Sequence, residues 1–239
     1  MYRQVKQRVE EGETLAIVTI VSTLGSTPRE VGAKMVVTAS GEILGTIGGG
    51  CGEAQAIREA VEAIRAHKPA MVKVELMDDI ESNSPAVCGG ILNAFIDPWW
   101  SDSAGICRQL TDALVQMQDE GAAAVLATVI NVENCPDTTP GEKCFIRNGE
   151  VKTGNIRNNL LVQELLLEAE NRLLNEECRQ VSFVLPGTDS KVDVFFDVVT
   201  AVRKVIIVGA GHLSIPLVKF AKILGFHVTV LDDRVLYAN

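Results

Sequence analysis

The same pattern of residues occurs twice along this chain, 109 positions apart. The matching pairs are Thr19 with Thr128, Gly32 with Gly141, Lys34 with Lys143, Gly45 with Gly154 and Ile47 with Ile156. A repeat of this length indicates two copies of one supersecondary unit, because a single copy would leave a sheet face or edge exposed. We therefore predict that residues 1–200 form one domain of two related β-β-β-α-β-β repeats, at about 12–98 and 121–198.

The elements of the first repeat follow from its residue periodicity. A helix is predicted where apolar residues recur every three to four positions, and strands where β-branched runs end at glycine. The predicted helix covers residues 53–66, and the predicted strands cover 15–22, 34–38, 42–47, 71–76 and 91–96. Its counterpart in the second repeat is an apolar helix around 160–174.

The last part of the chain has a different pattern. An apolar strand at 202–208 leads into the turn 209–214, then a helix and a second strand that ends at Asp232. This G-x-G-x-x-S turn, with an acid about 20 residues later, is typical of a Rossmann-type unit. The candidate nucleotide-binding residues are Gly209, Gly211, His212 and Asp232. The overall prediction is an α/β protein, with the duplicated domain followed by the start of a Rossmann-type domain at 201–239. One βαβ unit lacks neighbouring strands, so we also expect a shortened form of a longer protein.

Charge and cysteine usage exclude several classes of protein. The net charge of −9 argues against a nucleic-acid partner. No apolar run reaches the roughly 18–20 residues of a membrane span, and the start has no signal-peptide core. The six cysteines have no C-x-x-C spacing, which favours reduced thiols in the cytoplasm and argues against a structural zinc site.

The glycine run 48–50, between a predicted strand and a predicted helix, is the strongest candidate site. Glycine allows close approach of a ligand to the backbone, and a helix start attracts anions. Cys51 follows directly, where a helix N-terminus favours the thiolate. Glu53 is a candidate acid–base residue, or an acid that only favours the helix start. The whole run could also be just a tight turn.

Two further features occur in the first repeat alone. Cys88 precedes Gly89 and Gly90, and it is either a second reactive thiol or a buried packing cysteine. Arg29 follows Pro28 in a loop, where it could bind a phosphate or carboxylate or simply face solvent. The four other cysteines are assigned to packing or to the surface.

Taken together, these motifs resemble the xanthine dehydrogenase accessory family (XdhC/CoxI). The matching stretches are 25–29, 32–35, 45–53, 88–90, 209–214 and 231–234. The chain departs from the family pattern at Gly52, where the family has an apolar residue, and in the segment 84–87, which lacks glycine.

The resemblance implies a maturation factor, a cofactor-binding chaperone rather than a turnover enzyme, that binds molybdenum cofactor as molybdopterin or its dinucleotide form. It would assist sulfuration of the cofactor and its insertion into an apo molybdenum hydroxylase, with a cysteine desulfurase as a further candidate partner. By the same resemblance Cys51 and Cys88 become candidate contacts to the molybdenum, and Arg29, Gly48, Gly49 and Gly50 candidates for the anionic part. A nucleotide at the turn 209–214 and a homodimer are compatible with this interpretation.

Two other functions stay open. One is an NAD(P)-dependent oxidoreductase, although no Tyr-Lys or His-carboxylate arrangement is evident. The other is a non-catalytic nucleotide-binding interaction module, which would not need a reactive cysteine.

Overall fold

The computed structural model describes residues 1–75, 89–100, 105–200 and 204–234, and the backbone alone of Cys51. The chain divides into two compact units. The first comprises Met1–Gln116 and Ala123–Val199, and the second comprises Met117–Ala122 and Thr200–Asn239. The predicted domains, 1–200 and 201–239, stay predictions.

The first half of the larger unit is a five-stranded antiparallel sheet with one helix on it. Helix α1 (Tyr2–Glu10) precedes it. The sheet order is β3-β2-β1-β5-β4. Its elements are β1 (Leu15–Leu24), β2 (Lys34–Thr38), β3 (Ile43–Gly45), helix α2 (Gly50–Ala66), β4 (Ala70–Glu75) and β5 (Ile91–Trp99).

The second half has the same order of elements. Helix α3 (Ile106–Glu120) precedes a sheet of order β8-β7-β6-β10-β9. Its elements are β6 (Ala124–Glu133), β7 (Lys143–Arg147), β8 (Glu150–Gly154), helix α4 (Asn159–Asn175), β9 (Arg179–Val184) and β10 (Lys191–Val199).

The central strands of both sheets are buried on two faces. Alternate residues point to opposite faces of a strand. In β1, Ala16, Val18 and Ile20 join the core beneath α2, whereas Val21 packs between the two sheets with Phe95, Ile130 and Phe195. The unit is therefore layered helix, sheet, sheet, helix, and each half covers the sheet face that the other would expose.

Two ion pairs join the sheets in a reciprocal way. Lys34 Nζ of the first half lies 2.7 Å from Asp197 Oδ1 of the second, and Lys143 Nζ of the second lies 2.8 Å from Asp97 Oδ1 of the first. Each lysine also donates to a glycine carbonyl two residues earlier in its own half, at Gly32 and Gly141. Burial raises the pKa of Asp97, although Lys143 opposes that shift. The matching lysines of the two halves thus help to hold the halves together.

The second unit contains a βαβ segment. Strand β11 (Lys204–Val208), helix α5 (Ser214–Ile223) and strand β12 (His227–Leu231) follow in sequence, and the two strands pair in parallel. Strand β11 is followed by Gly209, whose N–H donates to the carbonyl of Leu231 at 2.7 Å. Its role as the start of a Rossmann-type domain stays a prediction.

The predicted α/β class is confirmed, with antiparallel sheets in both halves. Two differences from the expected elements have clear causes. Helix α2 begins at Gly50 rather than at residue 53. Glycine has a low helix propensity and no apolar side chain, so the glycine run gives no periodic signal for a helix start. Helix α3 lies outside the predicted elements, since its polar positions obscure its apolar face. Within the described ranges, none of the helices combines the length and the apolar character needed to cross a bilayer.

Candidate functional site

Three segments that are far apart in sequence meet at one end of the first sheet. They are the loop 25–28, the glycine run 48–50 and the pair Gly89-Gly90. A Cβ built at Gly48 would lie 2.6 Å from Cγ of Pro28, and one built at Gly25 would lie 3.3 Å from Cα of Gly90. The loop 25–28 is therefore packed between the other two, and glycine is required where its neighbours approach so closely.

The glycine run has a backbone that other residues rarely adopt. The φ angles of Gly48, Gly49 and Gly50 are 139°, 76° and 74°. Around Gly49 and Gly50 a built Cβ would meet nothing within 4 Å. The backbone at the start of α2 is thus open on one side, and the first N–H groups of a helix have no acceptor within it.

Glu53 holds this loop from inside. Its Oε2 accepts a hydrogen bond from the Thr46 hydroxyl at 2.5 Å and from the N–H groups of Ile47 at 3.1 Å and Gly49 at 3.3 Å. The Thr46 hydroxyl oxygen in turn accepts from the N–H of Gly48 at 3.1 Å. The Glu53 carboxylate therefore occupies part of the predicted anion site. The first backbone N–H group that a ligand could use is that of Gly50.

The pKa of Glu53 follows from these contacts. Burial would raise it, but the hydrogen bonds from Thr46 and from the amides of Ile47, Gly49 and Gly48 together lower it below its usual value. Glu53 is therefore an ionised, hydrogen-bonded carboxylate near neutral pH and a poor proton donor. This geometry gives it a positioning role; an acid–base role stays a prediction.

The other predicted residues of this site are placed unequally. The Arg29 side chain is exposed, and it forms no ion pair with any residue that the structure describes. Its backbone carbonyl accepts from the Thr27 hydroxyl at 3.0 Å. The side chain of Cys51 and all of Cys88 lie outside the described residues, so their predicted metal and cofactor contacts stay predictions. Cys51 is the second residue of α2.

A cavity that the sequence did not reveal adjoins the loop. It has a volume of about 760 Å³, and it is lined from the first half by Thr27 and Glu30 and from the second half by Cys178 and Arg179, among others. Burial, and after it the charge of Asp197, raise the pKa of the Cys178 thiol to about 11. Cys178 is therefore a neutral thiol at physiological pH and a weak nucleophile. The 109-residue shift gives no signal for this cavity, because its walls come from both halves.

In the second unit, the predicted nucleotide residues lie around the turn after β11. Gly209 has a φ of 102°, and the Ala210 N–H donates to Asp232 Oδ2 at 2.7 Å. Both oxygens of Asp232 also accept from the Arg234 guanidinium at 2.9 Å, and these contacts lower the pKa of Asp232 strongly. His212 is exposed, and the Ser214 hydroxyl donates to the carbonyl of Gly211 at 2.6 Å. A ribose at Asp232 would have to share that carboxylate with Arg234; nucleotide binding stays a prediction.

The sequence of the larger unit matches a known family. The model of the XdhC and CoxI family matches residues 8–75, which include the loop 25–28, the glycine run and Glu53. This segment of the chain is therefore similar to the XdhC and CoxI family.

Two curated relatives match this chain over different lengths. The chain is 37% identical over 87 residues to the uncharacterised protein YqeB of Escherichia coli (strain K12). The aligned residues make up 36% of this chain and 16% of that protein. The chain is 23% identical over 234 residues to a probable xanthine dehydrogenase subunit of Bacillus subtilis (strain 168). The aligned residues make up 97% of this chain and 63% of that protein. The chain thus spans less than two thirds of the length of either relative.

A solved structure shares the fold of this chain. It is the crystal structure of a xanthine dehydrogenase from Bacillus halodurans, with a TM-score of 0.74 and 21% identity. The similarity covers all of this chain and 64% of that one. At this level of identity the likeness supports the fold.

Proposed function

We propose that this chain is part of an accessory protein for a molybdenum hydroxylase of the xanthine dehydrogenase type. It binds molybdenum cofactor at the first half of its larger unit and assists sulfuration of that cofactor and its insertion into the apo-enzyme. The match of residues 8–75 to the XdhC and CoxI family model supports the accessory role, and so does the naming of one relative as a probable xanthine dehydrogenase subunit. In this proposal the chain acts as a cofactor-binding chaperone, with the hydroxylase and a cysteine desulfurase as partners.

The observation that carries the proposal is the meeting of three segments beside the start of α2. The loop 25–28 touches Gly48 on one side and Gly90 on the other. The residue before Gly89 is Cys88, and the residue after Gly50 is Cys51. A backbone that brings the two cysteine-bearing segments onto one loop, next to an exposed arginine, is a suitable frame for a ligand with an anionic end and a thiol-binding metal.

The described residues fit the anionic part of such a cofactor. A pterin phosphate needs N–H donors and a cation. The open backbone at Gly50, the start of α2 and the exposed Arg29 supply them. The Glu53 carboxylate restricts the ligand to the outer side of the loop, because it already accepts from Ile47 and Gly49. When bound, the cofactor would supply a molybdenum atom, and the role of Cys51 would be to contact it as a thiolate favoured by the helix start.

The finer features of the fold belong to the same proposal. We infer that the two halves are duplicated copies, since their elements follow in the same order and their sheets are cross-linked reciprocally. The βαβ segment is the start of a Rossmann-type domain in this view. The first half carries the cofactor chemistry, because the sequence of the second half lacks the glycine run and has no cysteine at the positions that match Cys51 and Cys88.

The test is maturation of a hydroxylase in cells that co-express it with the protein. Cys51→Ala is expected to lower the sulfurated, active fraction of the hydroxylase at least about tenfold, the size of loss seen when a metal-contacting or supporting group is removed. The matched control is Leu160→Ala, at the corresponding position of α4, with an exposed fraction of 45%. The control is expected to support normal maturation.

Cofactor binding is measured separately on the purified protein by the fluorescence of released, oxidised pterin. Arg29→Gln is expected to lower the amount retained. Full maturation by Cys51→Ala together with unchanged pterin retention by Arg29→Gln would overturn the assignment of this site.

A further inference from the structure

Three carboxylates are buried among the described residues, and one of them lacks a cation. Asp97, Asp193 and Asp197 are 8%, 8% and 5% exposed. Asp97 pairs with Lys143, and Asp197 pairs with Lys34. Asp193 forms no ion pair with any residue that the structure describes. A buried charge without an opposite charge is unfavourable, so the environment of Asp193 indicates that a positive charge comes from outside the chain.

Neutral side chains hold the Asp193 carboxylate in place. Its Oδ2 accepts a hydrogen bond from Asn131 Nδ2 at 3.1 Å, and its Oδ1 accepts from the Ser182 hydroxyl. Strand β10 supplies one lysine, Lys191, and this lysine pairs with Glu133 at 3.8 Å. The carboxylate is therefore oriented by hydrogen bonds and is not neutralised by a described side chain.

A cavity of about 340 Å³ lies at Asp193, where the two halves meet. Its lining consists of four pairs of corresponding positions: Val21 and Ile130, Ser22 and Asn131, Met71 and Gln180, and Asn93 and Asp193. The first three pairs are 109 positions apart, and the last pair occupies the third position of β5 and of β10. The walls are thus equivalent in place, and the lining carries one charge, that of Asp193.

The Asp193 side chain faces this cavity. Alternate residues of a strand point to opposite faces. Asp193 lies between Val192 and Val194, which both join the core beneath α4. Its side chain therefore points to the other face, on which Phe195 packs between the sheets with Val21. Because Val21 also lines the cavity, the carboxylate and the cavity lie on the same side of β10.

The cavity walls also offer neutral acceptors and an apolar surface. Asn131 directs its amide nitrogen to Asp193, so its Oδ1 faces away from the carboxylate and accepts from no described residue. Asn93 donates through Nδ2 to Ser22 Oγ at 2.9 Å, which leaves the Asn93 Oδ1 as an acceptor. Met71 is among the apolar side chains of the lining. This combination matches a charged N–H donor on a short carbon chain.

We propose that this cavity binds the ammonium group of a small aliphatic amine, with Asp193 as its counter-ion. An ammonium group supplies both the positive charge and the N–H donors. The cavity volume lies at the lower end of the range of about 300–1,000 Å³ that is usual for small-molecule sites. A metal ion suits the walls less well, because the described residues contain no metal-ligand group of three or more His, Cys, Asp or Glu side chains. The ammonium group belongs to a free amine or to a lysine side chain of another polypeptide, which share this chemistry.

The amine site is separate from the cofactor site proposed above. Neither Arg29 nor the glycine run 48–50 lines this cavity within the described residues. Asn93 and Asp193 are 100 positions apart, outside the 109-residue shift, so comparing the sequences of the halves does not reveal their difference in charge.

The proposal is tested by titrating the full chain near neutral pH with three probes: n-pentylamine, n-pentanol and Nα-acetyl-L-lysine N-methylamide. The amide resonances of Asn131 and Asp193 report binding. We expect n-pentylamine to bind saturably with a dissociation constant of about 1 mM or lower, which is compatible with its size. We expect n-pentanol, which lacks the charge, to bind at least about tenfold more weakly. Tighter binding of n-pentylamine favours a free amine, and tighter binding of the lysine derivative favours a lysine side chain; either result supports an ammonium site.

Asp193→Asn removes the charge and keeps the size of the side chain. We expect it to weaken binding of n-pentylamine by about tenfold or more. Without amine, we expect its melting temperature to be no lower than that of the unmodified chain, because an uncompensated buried charge is removed. A markedly lower melting temperature would contradict the proposal, since it would mean that the protein itself satisfies the carboxylate.

Gln180→Lys supplies an ammonium group from the chain itself. Strand β9 places Ser182 opposite Asp193, so Gln180 lies diagonally across from Asp193, within reach of a long side chain. We expect this variant to have a raised melting temperature and to bind n-pentylamine about tenfold more weakly or less. The control is Glu59→Gln, which removes an exposed carboxylate from α2 and is expected to bind n-pentylamine like the unmodified chain.

Three results would overturn the proposal: no saturable binding of either ammonium probe, equal binding of n-pentanol, or unchanged affinity in Asp193→Asn. If Asp193→Asn does not fold, unchanged affinity in Gln180→Lys overturns it instead. The probes contain neither a pterin nor a phosphate, and hydroxylase maturation does not enter the assay. The outcome is therefore independent of the function proposed for the first half.

Discussion

The loops that lead into α2 and α4 occupy corresponding places in the two halves, and they solve the same problem differently. The first passes through three glycines with positive φ and is held by Glu53. The second begins its helix from Asn158, with a φ of −70° and a side chain that caps Leu161. Both helices have 17 residues, and each is followed by a residue in the left-handed conformation, His67 and Glu176. The two halves therefore share the helix and its ends, and they differ in the loop before the helix, where a ligand can approach.

The difference between the two loops separates residues that stabilise the fold from residues that suit one half to a particular ligand. A neutral asparagine is enough to start a helix, so the glycine run and the inward-facing glutamate of the first loop exceed what the fold needs. Residues that are alike in both halves hold the sheets together. Residues that differ between the halves surround the open backbone at Gly49 and Gly50 in the first half. In the second half they surround Glu142, whose buried Oε2 accepts no hydrogen bond from any described residue.

The largest effect is expected from breaking the shared frame. Lys143→Met leaves the buried Asp97 carboxylate without its cation and is expected to lower the free energy of unfolding by about 3–5 kcal/mol. Lys34→Met is expected to have a similar effect through Asp197, because the two pairs are equivalent. The measurement is urea denaturation followed by tryptophan fluorescence. A cost below about 1 kcal/mol for either variant would contradict a structural role for the pairs.

A smaller effect is expected from the first loop alone. Gly48→Ala places a Cβ 2.6 Å from the Pro28 ring at a φ of 139°, and it is expected to cost about 1–3 kcal/mol of stability. The matched change in the second loop, Arg157→Ala, removes an exposed side chain and is expected to stay within about 0.5 kcal/mol. The loss of stability of each variant relative to the unmodified chain is measured by thermal unfolding, and the two losses are compared. Equal costs would mean that the two loops have the same backbone requirements.

The smallest effect is a difference in pH response. Because the folded pKa of Glu53 is lowered, its stabilisation of the first loop is present above the ordinary value of 4.5 and is lost as the pH falls through the lowered value. The amide resonances of Ile47 and Gly49 are expected to titrate below pH 4.5, while Leu161, capped by a neutral amide, is expected not to follow. The NMR titration is repeated on Glu53→Gln, in which the shifts of Ile47 and Gly49 should vanish.

Much of the secondary structure is predictable from the sequence, because strands and helices leave local periodic signals. The predicted strand at 34–38 agrees with β2, and the helix around 160–174 agrees with α4 within a residue. The position of the glycine run between a strand and a helix marks it as a candidate site. The same pattern includes Glu53, but the direction of its hydrogen bonds, back toward Ile47 and Gly49, is not evident from its place in the helix.

The sequence by itself determined most of the strands, the helix at 160–174 and the position of the glycine run before a helix, since each depends on the spacing of near neighbours. Only the tertiary structure decided which distant groups meet. Lys34 and Asp197 are separated by 163 positions, and Lys143 and Asp97 by 46. Their pairing and the contact of Gly25 with Gly90 depend on how the sheets and loops pack against each other. No local periodicity encodes that packing, because it is fixed by burying both apolar faces at once.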